Sequence, residues 1–243
     1  MRQAIGIAVA GLLIAAGIAF GALEFSRAYV HARTVDRTVT VKGLSERNVM
    51  ADTAIWPLRF TATDDDLAKA LAKLAADERV VRDFLTDGGI ETAAISVQQF
   101  SVIDQLAQQY QSGPIRSRYI VSETLLVRSG AIDKVAALAQ EVGQLVSAGV
   151  ILSIEGGYTS GPNYLFTELN AIKPAMLAEA LSNAREGAAE FARDAGAKVG
   201  GIRRASQGVF QILPRDQAPG LHEKGQIHKT IRVVSTIDYA LVD

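Results

Sequence analysis

The first residues to consider for chemistry are the histidines, because imidazole can act as a general base and as a metal ligand. The chain contains three, His31, His222 and His228, and it has no cysteine. Their spacing matches neither H-E-x-x-H nor another zinc-binding pattern. The absence of cysteine excludes disulfides, thiolate nucleophiles and cysteine-bound metals. The sequence therefore predicts no metal site and no cofactor.

The carboxylates do not form an evident catalytic pair. Asp64-Asp65-Asp66 precedes a segment with helical periodicity, and acidic side chains favour the positive end of a helix dipole, so we interpret the triplet as a cap. Glu123 and Glu155 fall within predicted strands, and we expect both to be solvated or ion-paired. Acid–base catalysis would require two such groups in one pocket.

Four aromatic residues could line a ligand groove: Trp56, Tyr119, Tyr158 and Tyr164. Aromatic side chains in or beside strands are more often part of the core, and we favour that interpretation. No G-x-S-x-G, P-loop or G-x-G-x-x-G pattern occurs in the sequence. We therefore expect no catalytic residues, and a hydrolase is the least favoured alternative.

Positive and negative charges are balanced along the chain, with 25 Lys and Arg against 26 Asp and Glu. A nucleic-acid binder needs a concentrated basic face that neutralises phosphates. The sequence has no basic block of that kind, so we exclude nucleic acid as a partner.

The longest uncharged segment runs from Ala4 to Leu23, close to the length that a helix needs to cross a membrane. We predict a single-pass inner-membrane helix that contacts lipid and places the rest of the chain in the periplasm. The alternative is a cleaved signal with a site near Ala19-Phe20-Gly21, which would leave the domain free in the periplasm. The predicted span is marked by Ala4, Leu12, Leu13, Gly17, Gly21 and Leu23.

Three segments are predicted: a membrane anchor or signal sequence at 1–25, a juxtamembrane linker at 26–36 and a folded domain at 37–243. The order of periodic elements in the domain indicates an α+β fold, with antiparallel sheets and helices packed on one face. Pro57 indicates a bulge or an edge within the second strand. The predicted strands are 37–44, 50–61, 90–103, 118–128, 150–155, 164–167, 202–213 and 227–241.

Three helices are predicted from apolar residues at spacings of three and four. The first begins at Thr63, in a capping-box-like pair with Asp66, and ends at Gly88-Gly89. The second covers 131–146 and includes Val146 in its apolar stripe. The third covers 169–195, with an alanine ridge at Ala180, Ala184, Ala188 and Ala192 and a wider stripe through Leu177, Leu181, Ala184, Ala188, Phe191 and Ala195.

Residues 104–116 form a glutamine-rich polar loop between two predicted strands. Loops of this length are often functional or mobile. We therefore expect an interaction loop, whose central residues are Gln108, Gln109, Tyr110, Gln111 and Ser112.

The chain also carries a weak internal repeat of ββα type. A shift of 107 residues aligns Leu74 with Leu181, Phe84 with Phe191, and Gly89 with Gly196. Several segments resemble the SIMPL-domain family of bacterial periplasmic and envelope proteins: Ile95-Ser96-Val97, Tyr119–Ser122, Leu125–Arg128, Ala180–Arg185 and Gly200-Gly201-Ile202. The family usually has a Gly-Tyr pair where this chain has Arg118-Tyr119.

The resemblance implies an envelope protein, sometimes associated with stress tolerance, with no catalytic residues to transfer. Together with the predicted span, it leads us to expect a non-enzymatic, membrane-tethered protein that faces the periplasm. We expect it to form a homo-oligomer or to bind another envelope component, because unpaired sheet edges can add a strand from a neighbour. The alternative is a monomeric module that binds a small molecule or a peptide between sheet and helices.

Overall fold

A computed structural model describes residues 11, 15–27, 29, 37–107, 116–153 and 161–242. The strands are β1 (Thr38–Met50), β2 (Thr53–Asp64), β3 (Ile95–Asp104), β4 (Tyr119–Ser129), β5 (Asn163–Leu165), β6 (Lys198–Gln207), β7 (Gln211–Pro214) and β8 (His228–Val242). The helices that complete the domain are α1 (Leu67–Asp87), α2 (Ile132–Glu141), α3 (Gly143–Ser147) and α4 (Leu169–Asp194). This arrangement confirms the predicted α+β class and its antiparallel sheets.

Residues 15–27 are helical, and Gly17, Gly21 and Leu23 of the predicted span lie in this segment. Ala4, Leu12 and Leu13 lie outside the described residues. Across the part of the chain that the structure describes, no helix has both the length and the hydropathy needed to cross a membrane. The predicted transmembrane helix stays a prediction.

The described residues divide into two compact units. The described residues up to Ser45 belong to the first with 175–210 and 233–242, and the described residues within 46–174 and 211–232 form the second. In the first, β8 lies between β1 and β6; in the second, the strand order is β3-β4-β2-β5 and β7 pairs with the start of β8.

The core of the second unit is built from large apolar side chains between the sheet and its helices. Alternate residues of β2 and β4 face α1, as the period of two requires. Burial of each such side chain contributes roughly 1.5–3 kcal/mol. The largest of them are Trp56, Phe60, Leu74, Leu85, Leu125 and Leu145.

Helix α1 begins later than the sequence predicts. β2 continues to Asp64, so Thr63 is a strand residue and not the cap. The cap is Asp66, whose Oδ1 accepts hydrogen bonds from the backbone N–H of Ala68 at 2.8 Å and Lys69 at 3.4 Å. The predicted end is confirmed, because Gly88 is the C-cap and Gly89 adopts a φ of 81° that favours glycine.

The predicted helix 131–146 is two helices in the structure. Val142 interrupts the helix between α2 and α3. Leu145 is buried and Val146 is exposed, so the predicted stripe was wrong at its end. The predicted strand 150–155 is reduced to a bridge between Leu152 and Phe60, with 154 and 155 outside the described residues. β5 pairs with the start of β2, and the described residues 150–153 do not pair with it.

Pro57 lies within β2 opposite Leu126 with no shift of register, so the predicted bulge is absent. On the other side of β2, β5 reaches only Ile55, and the bridging segment starts opposite Phe60. In the described part of the chain, no strand therefore pairs with β2 at Pro57 on the side away from β4. Proline is tolerated at such an edge position because it has no backbone N–H to donate.

The first unit uses small residues where the second uses large ones. The alanine ridge is confirmed, since Ala180, Ala184, Ala188 and Ala192 are all buried. Gly43 of β1 meets this ridge, and a Cβ placed there would lie 1.8 Å from the carbonyl oxygen of Ala180. The wider stripe was wrong: Leu181, Phe191 and Ala195 are exposed, because only the narrow alanine row meets the strand.

β8 confirms the predicted long terminal strand, with every second residue from Lys229 to Tyr239 buried. The predicted strand 202–213 is instead β6 and β7, interrupted at Gly208. The N–H of Gly208 donates to the carbonyl oxygen of Val234 at 2.9 Å, and a Cβ at Gly208 would lie 2.3 Å from that oxygen. The close approach requires glycine at this position.

Candidate functional site

The second unit's sheet ends in a long open edge at β3. This ten-residue strand pairs with β4 on one side, and no described residue pairs with its other side. An unpaired strand presents alternating N–H and C=O groups that can accept a further strand. The sequence predicted the strand but gave no sign that it lies at the end of the sheet.

Three apolar side chains on β3 are exposed to solvent: Val97 is 51% exposed, Phe100 54% and Val102 44%. We call these three residues the β3 face. They lie opposite Leu125, Glu123 and Val121 of β4, on the side of the sheet that α1 covers over β2 and β4. Helix α1 buries this side of the sheet over β2 and β4. The β3 face lies on the same side but beyond the helix, so it is exposed.

The strand is irregular at its middle. Its register with β4 shifts between Val97 and Gln99, which indicates a β-bulge. A bulge increases local twist and is one of the ways in which proteins limit uncontrolled edge pairing. The regular part of the β3 edge therefore runs from Gln99 to Asp104.

The far end of β3 is fastened to β4 by Arg118. Its guanidinium lies 2.9 Å from Asp104 Oδ2, and its backbone N–H donates to Asp65 Oδ1 at 2.9 Å. The guanidinium also lies 4.8 Å from the ring centroid of Tyr119. The hydrogen bond from Arg118 lowers the pKa of Asp104. The predicted interaction loop, Gln108 to Ser112, lies in the sequence between Asp104 and Arg118 and is outside the described residues.

Glu123 is the one predicted site residue whose environment reverses the expectation. Its side chain lies between Phe60 and Phe100 in the sheet and is 6% exposed, so it is not solvated. Burial raises the pKa of Glu123, Glu78 raises it further, and Arg82 lowers it. Arg82 is itself paired with Glu78 at 2.7 Å. Glu123 accepts no hydrogen bond from a described residue, and the charged groups that act on it are Glu78 and Arg82 of α1.

Two of the remaining predicted residues lie apart, since Trp56 is in the core and Tyr119 is half-buried beside Arg118. His228 begins β8 and lines a cavity together with Tyr164. His31, Tyr158 and Glu155 lie outside the described residues. Within the described ranges, no group of three or more His, Asp or Glu side chains is placed to hold a metal ion.

The opposite end of the same sheet carries a cavity of about 550 Å³. Of the four aromatic residues considered for a ligand groove, Tyr164 lines it. Tyr164 of β5, Gln140 of α2 and the turn containing His222 and Lys224 line it. Lys229 beneath this turn was missed as well. Its position in the strict alternation of β8 is a buried one, and a lysine there is a signal that a paired charge lies nearby.

Comparison with protein families gives one match: the model SIMPL, described as a protein of unknown function (DUF541), matches residues 39–234. No curated protein matches the chain. The match covers almost all of the two units described above.

Proposed function

The chain belongs to the SIMPL family, and from the open edge of β3 we propose that it is a non-enzymatic envelope protein that acts by self-assembly. In this proposal the N-terminal segment tethers the protein to the inner membrane and the SIMPL domain faces the periplasm. The same edge would serve if the partner were another envelope component.

The single observation that carries the proposal is the β3 face on an unpaired strand. A strand added beside Phe100–Asp104 could form backbone hydrogen bonds along the side of β3 that faces away from β4. It would also bring apolar side chains next to Phe100 and Val102, which are about half exposed in the isolated chain. Full burial of a side chain of this size contributes roughly 1.5–3 kcal/mol.

The test is the solution mass of the full chain in mild detergent, measured by light scattering across a dilution series. We expect the wild type to form a discrete multimer whose mass does not change with concentration. The double variant Phe100→Lys/Val102→Lys should give a smaller species, because two charges at the edge oppose strand addition.

The matched control is Val146→Lys, which places a charge on another exposed valine of the second unit. Circular dichroism should show the same secondary structure for all three proteins. The proposal is wrong if the wild type is monomeric at every concentration, or if the double variant keeps the mass of the wild type.

A further inference from the structure

The cavity at the β5 end of the sheet has a second, smaller cavity of about 320 Å³ beside it. Tyr164, Gln140 and Gln226 line both, so the two adjoin. Together they have the size range of sites for small organic molecules. All of the lining residues belong to the second unit.

Tyr164 supplies a hydrogen-bonding group to the cavity. The residue is 6% exposed and lines both cavities, and its hydroxyl forms no hydrogen bond with a described residue. Burial raises the pKa of Tyr164, so at neutral pH the phenol is protonated and able to donate. Its natural partner is an acceptor atom inside the cavity.

The charges around the cavity favour an anion. Lys224 is exposed on the wall of the larger cavity, and none of the described lining residues there is a carboxylate. Two acidic side chains of the same loop are paired with cations. Asp216, on the smaller cavity, lies 3.3 Å from Arg215 Nη2, and the carboxylate of Glu223 contacts the ammonium of Lys229. His222 adds an imidazole to the same wall.

The apolar part of the lining suits a compact hydrocarbon body. Pro162, Leu221 and Ala139 line the larger cavity together with the ring of Tyr164. A ligand that combines a flat or short apolar body with a single acceptor group would match both the apolar surface and the unpaired hydroxyl.

The wall that carries Lys224 is fixed in place before a ligand arrives. Lys229 is fully buried, and its ammonium contacts the carboxylate of Glu223 and donates to the Glu223 carbonyl oxygen at 2.7 Å. The side chain of Gln226 donates to the carbonyl oxygen of Asp216 at 2.7 Å and accepts from its N–H at 3.1 Å. A site that is already ordered spends less of its interaction energy on ordering loops when it binds.

We propose that this cavity binds a small organic carboxylate with an apolar body, held by the hydroxyl of Tyr164 and the ammonium of Lys224. The site lies at β5, the opposite end of the strand order from β3. Ligand binding is therefore independent of the assembly edge and adds a second activity to the proposed function.

The probe is benzoate, titrated into the full chain in detergent and followed by ligand-observed NMR, with benzamide as the uncharged analogue of the same shape. We expect saturable binding in the millimolar range, appropriate to a ligand of nine heavy atoms. Benzamide should bind at least about tenfold more weakly, the factor that corresponds to 1.4 kcal/mol.

Two variants test the named groups. Lys224→Met should weaken benzoate binding by about tenfold, and Tyr164→Phe by about threefold to tenfold, in line with the loss of one hydrogen bond. Lys69→Met removes a charge on α1 and should bind as the wild type does. The assembly variant Phe100→Lys/Val102→Lys should also bind benzoate normally, so the two proposals can fail separately.

The proposal is overturned if benzoate and benzamide bind equally, because the charge then contributes nothing. It is also overturned if Lys224→Met retains the wild-type affinity, or if benzoate shows no saturable binding at about 10 mM.

Discussion

The two ends of the second unit's sheet are built in opposite ways. At one end, β3 offers ten residues with three exposed apolar side chains and a single clamp at Asp104. At the other, β5 has only three residues. Next to β5 stands a turn that Lys229 and Gln226 hold in place.

The difference shows which edge the fold protects. Short strands and covering loops are common protections against edge-to-edge pairing, and the β5 end has both. The β3 end has a bulge at Val97/Gln99, but the residues after it are paired regularly and expose Phe100 and Val102. We therefore assign association to the β3 end and small-molecule binding to the β5 end.

The largest effect should come from removing the buried cation at the β5 end. Lys229→Met keeps most of the side-chain volume but leaves the carboxylate of Glu223 without its partner. Removing one member of a buried pair costs 3–5 kcal/mol, and Glu223 is partly exposed, so we expect a loss of about 2–3 kcal/mol in the free energy of unfolding. Urea unfolding at neutral pH measures it.

Lys224→Met is the matched control, because it removes the same charge from an exposed side chain on the same turn. Its midpoint should stay close to that of the wild type. Equal midpoints for both variants and the wild type would mean that Lys229 does not hold the turn, and the contrast between the two edges would lose its main support.

A smaller effect is expected at Asp52, whose carboxylate binds the segment between β5 and α4. Its carboxylate accepts hydrogen bonds from the N–H of Thr167 at 2.6 Å, the N–H of Glu168 at 3.1 Å and the hydroxyl of Thr167 at 2.8 Å. Burial alone would raise the pKa of Asp52, but these bonds and one from Thr53 outweigh it, so the pKa is lowered.

Asp52→Asn should cost about 1–2 kcal/mol at neutral pH, because it removes the charge that accepts these hydrogen bonds. A lowered pKa contributes stability that is present above the ordinary value of 3.8 and is lost as the pH falls through the folded-state value. The difference between wild type and variant in urea midpoint should therefore shrink below about pH 4. Asp83→Asn, an exposed carboxylate on α1, is the control. A difference that grows in acid would contradict the assignment.

The features that depend on local pattern could be predicted from the sequence. The alternation of β8 and the four-residue spacing of Ala180 to Ala192 each identify an element and its buried side. The end of α1 follows from Gly88-Gly89. These predictions succeed because the period of an element is a property of its own residues.

The functional surfaces depend on contacts between distant segments and could not be predicted in the same way. An alternating strand such as β3 has the same pattern whether or not a helix covers it, so the exposure of Phe100 has no local signal. Pairing of β5 with β2 brings together residues more than a hundred positions apart. Glu123 is different, since it alternates with Val121 and Leu125, and that pattern already favoured burial.

The smallest effect should be at the β3 end, in Asp104→Asn. The guanidinium of Arg118 lowers the pKa of Asp104, so its contribution is present above the ordinary value of 3.8 and lost in acid. The side chains of both residues are partly exposed to solvent, and such pairs are weak and screened by salt. We expect a shift in urea midpoint smaller than that of Asp52→Asn, and none at about 1 M salt, where the Debye length is about 3 Å. A shift as large as that of Asp52→Asn would mean that the β3 end is held as firmly as the β5 end. If side-chain contacts stabilised the two ends equally, there would be no reason to assign association to one edge and ligand binding to the other.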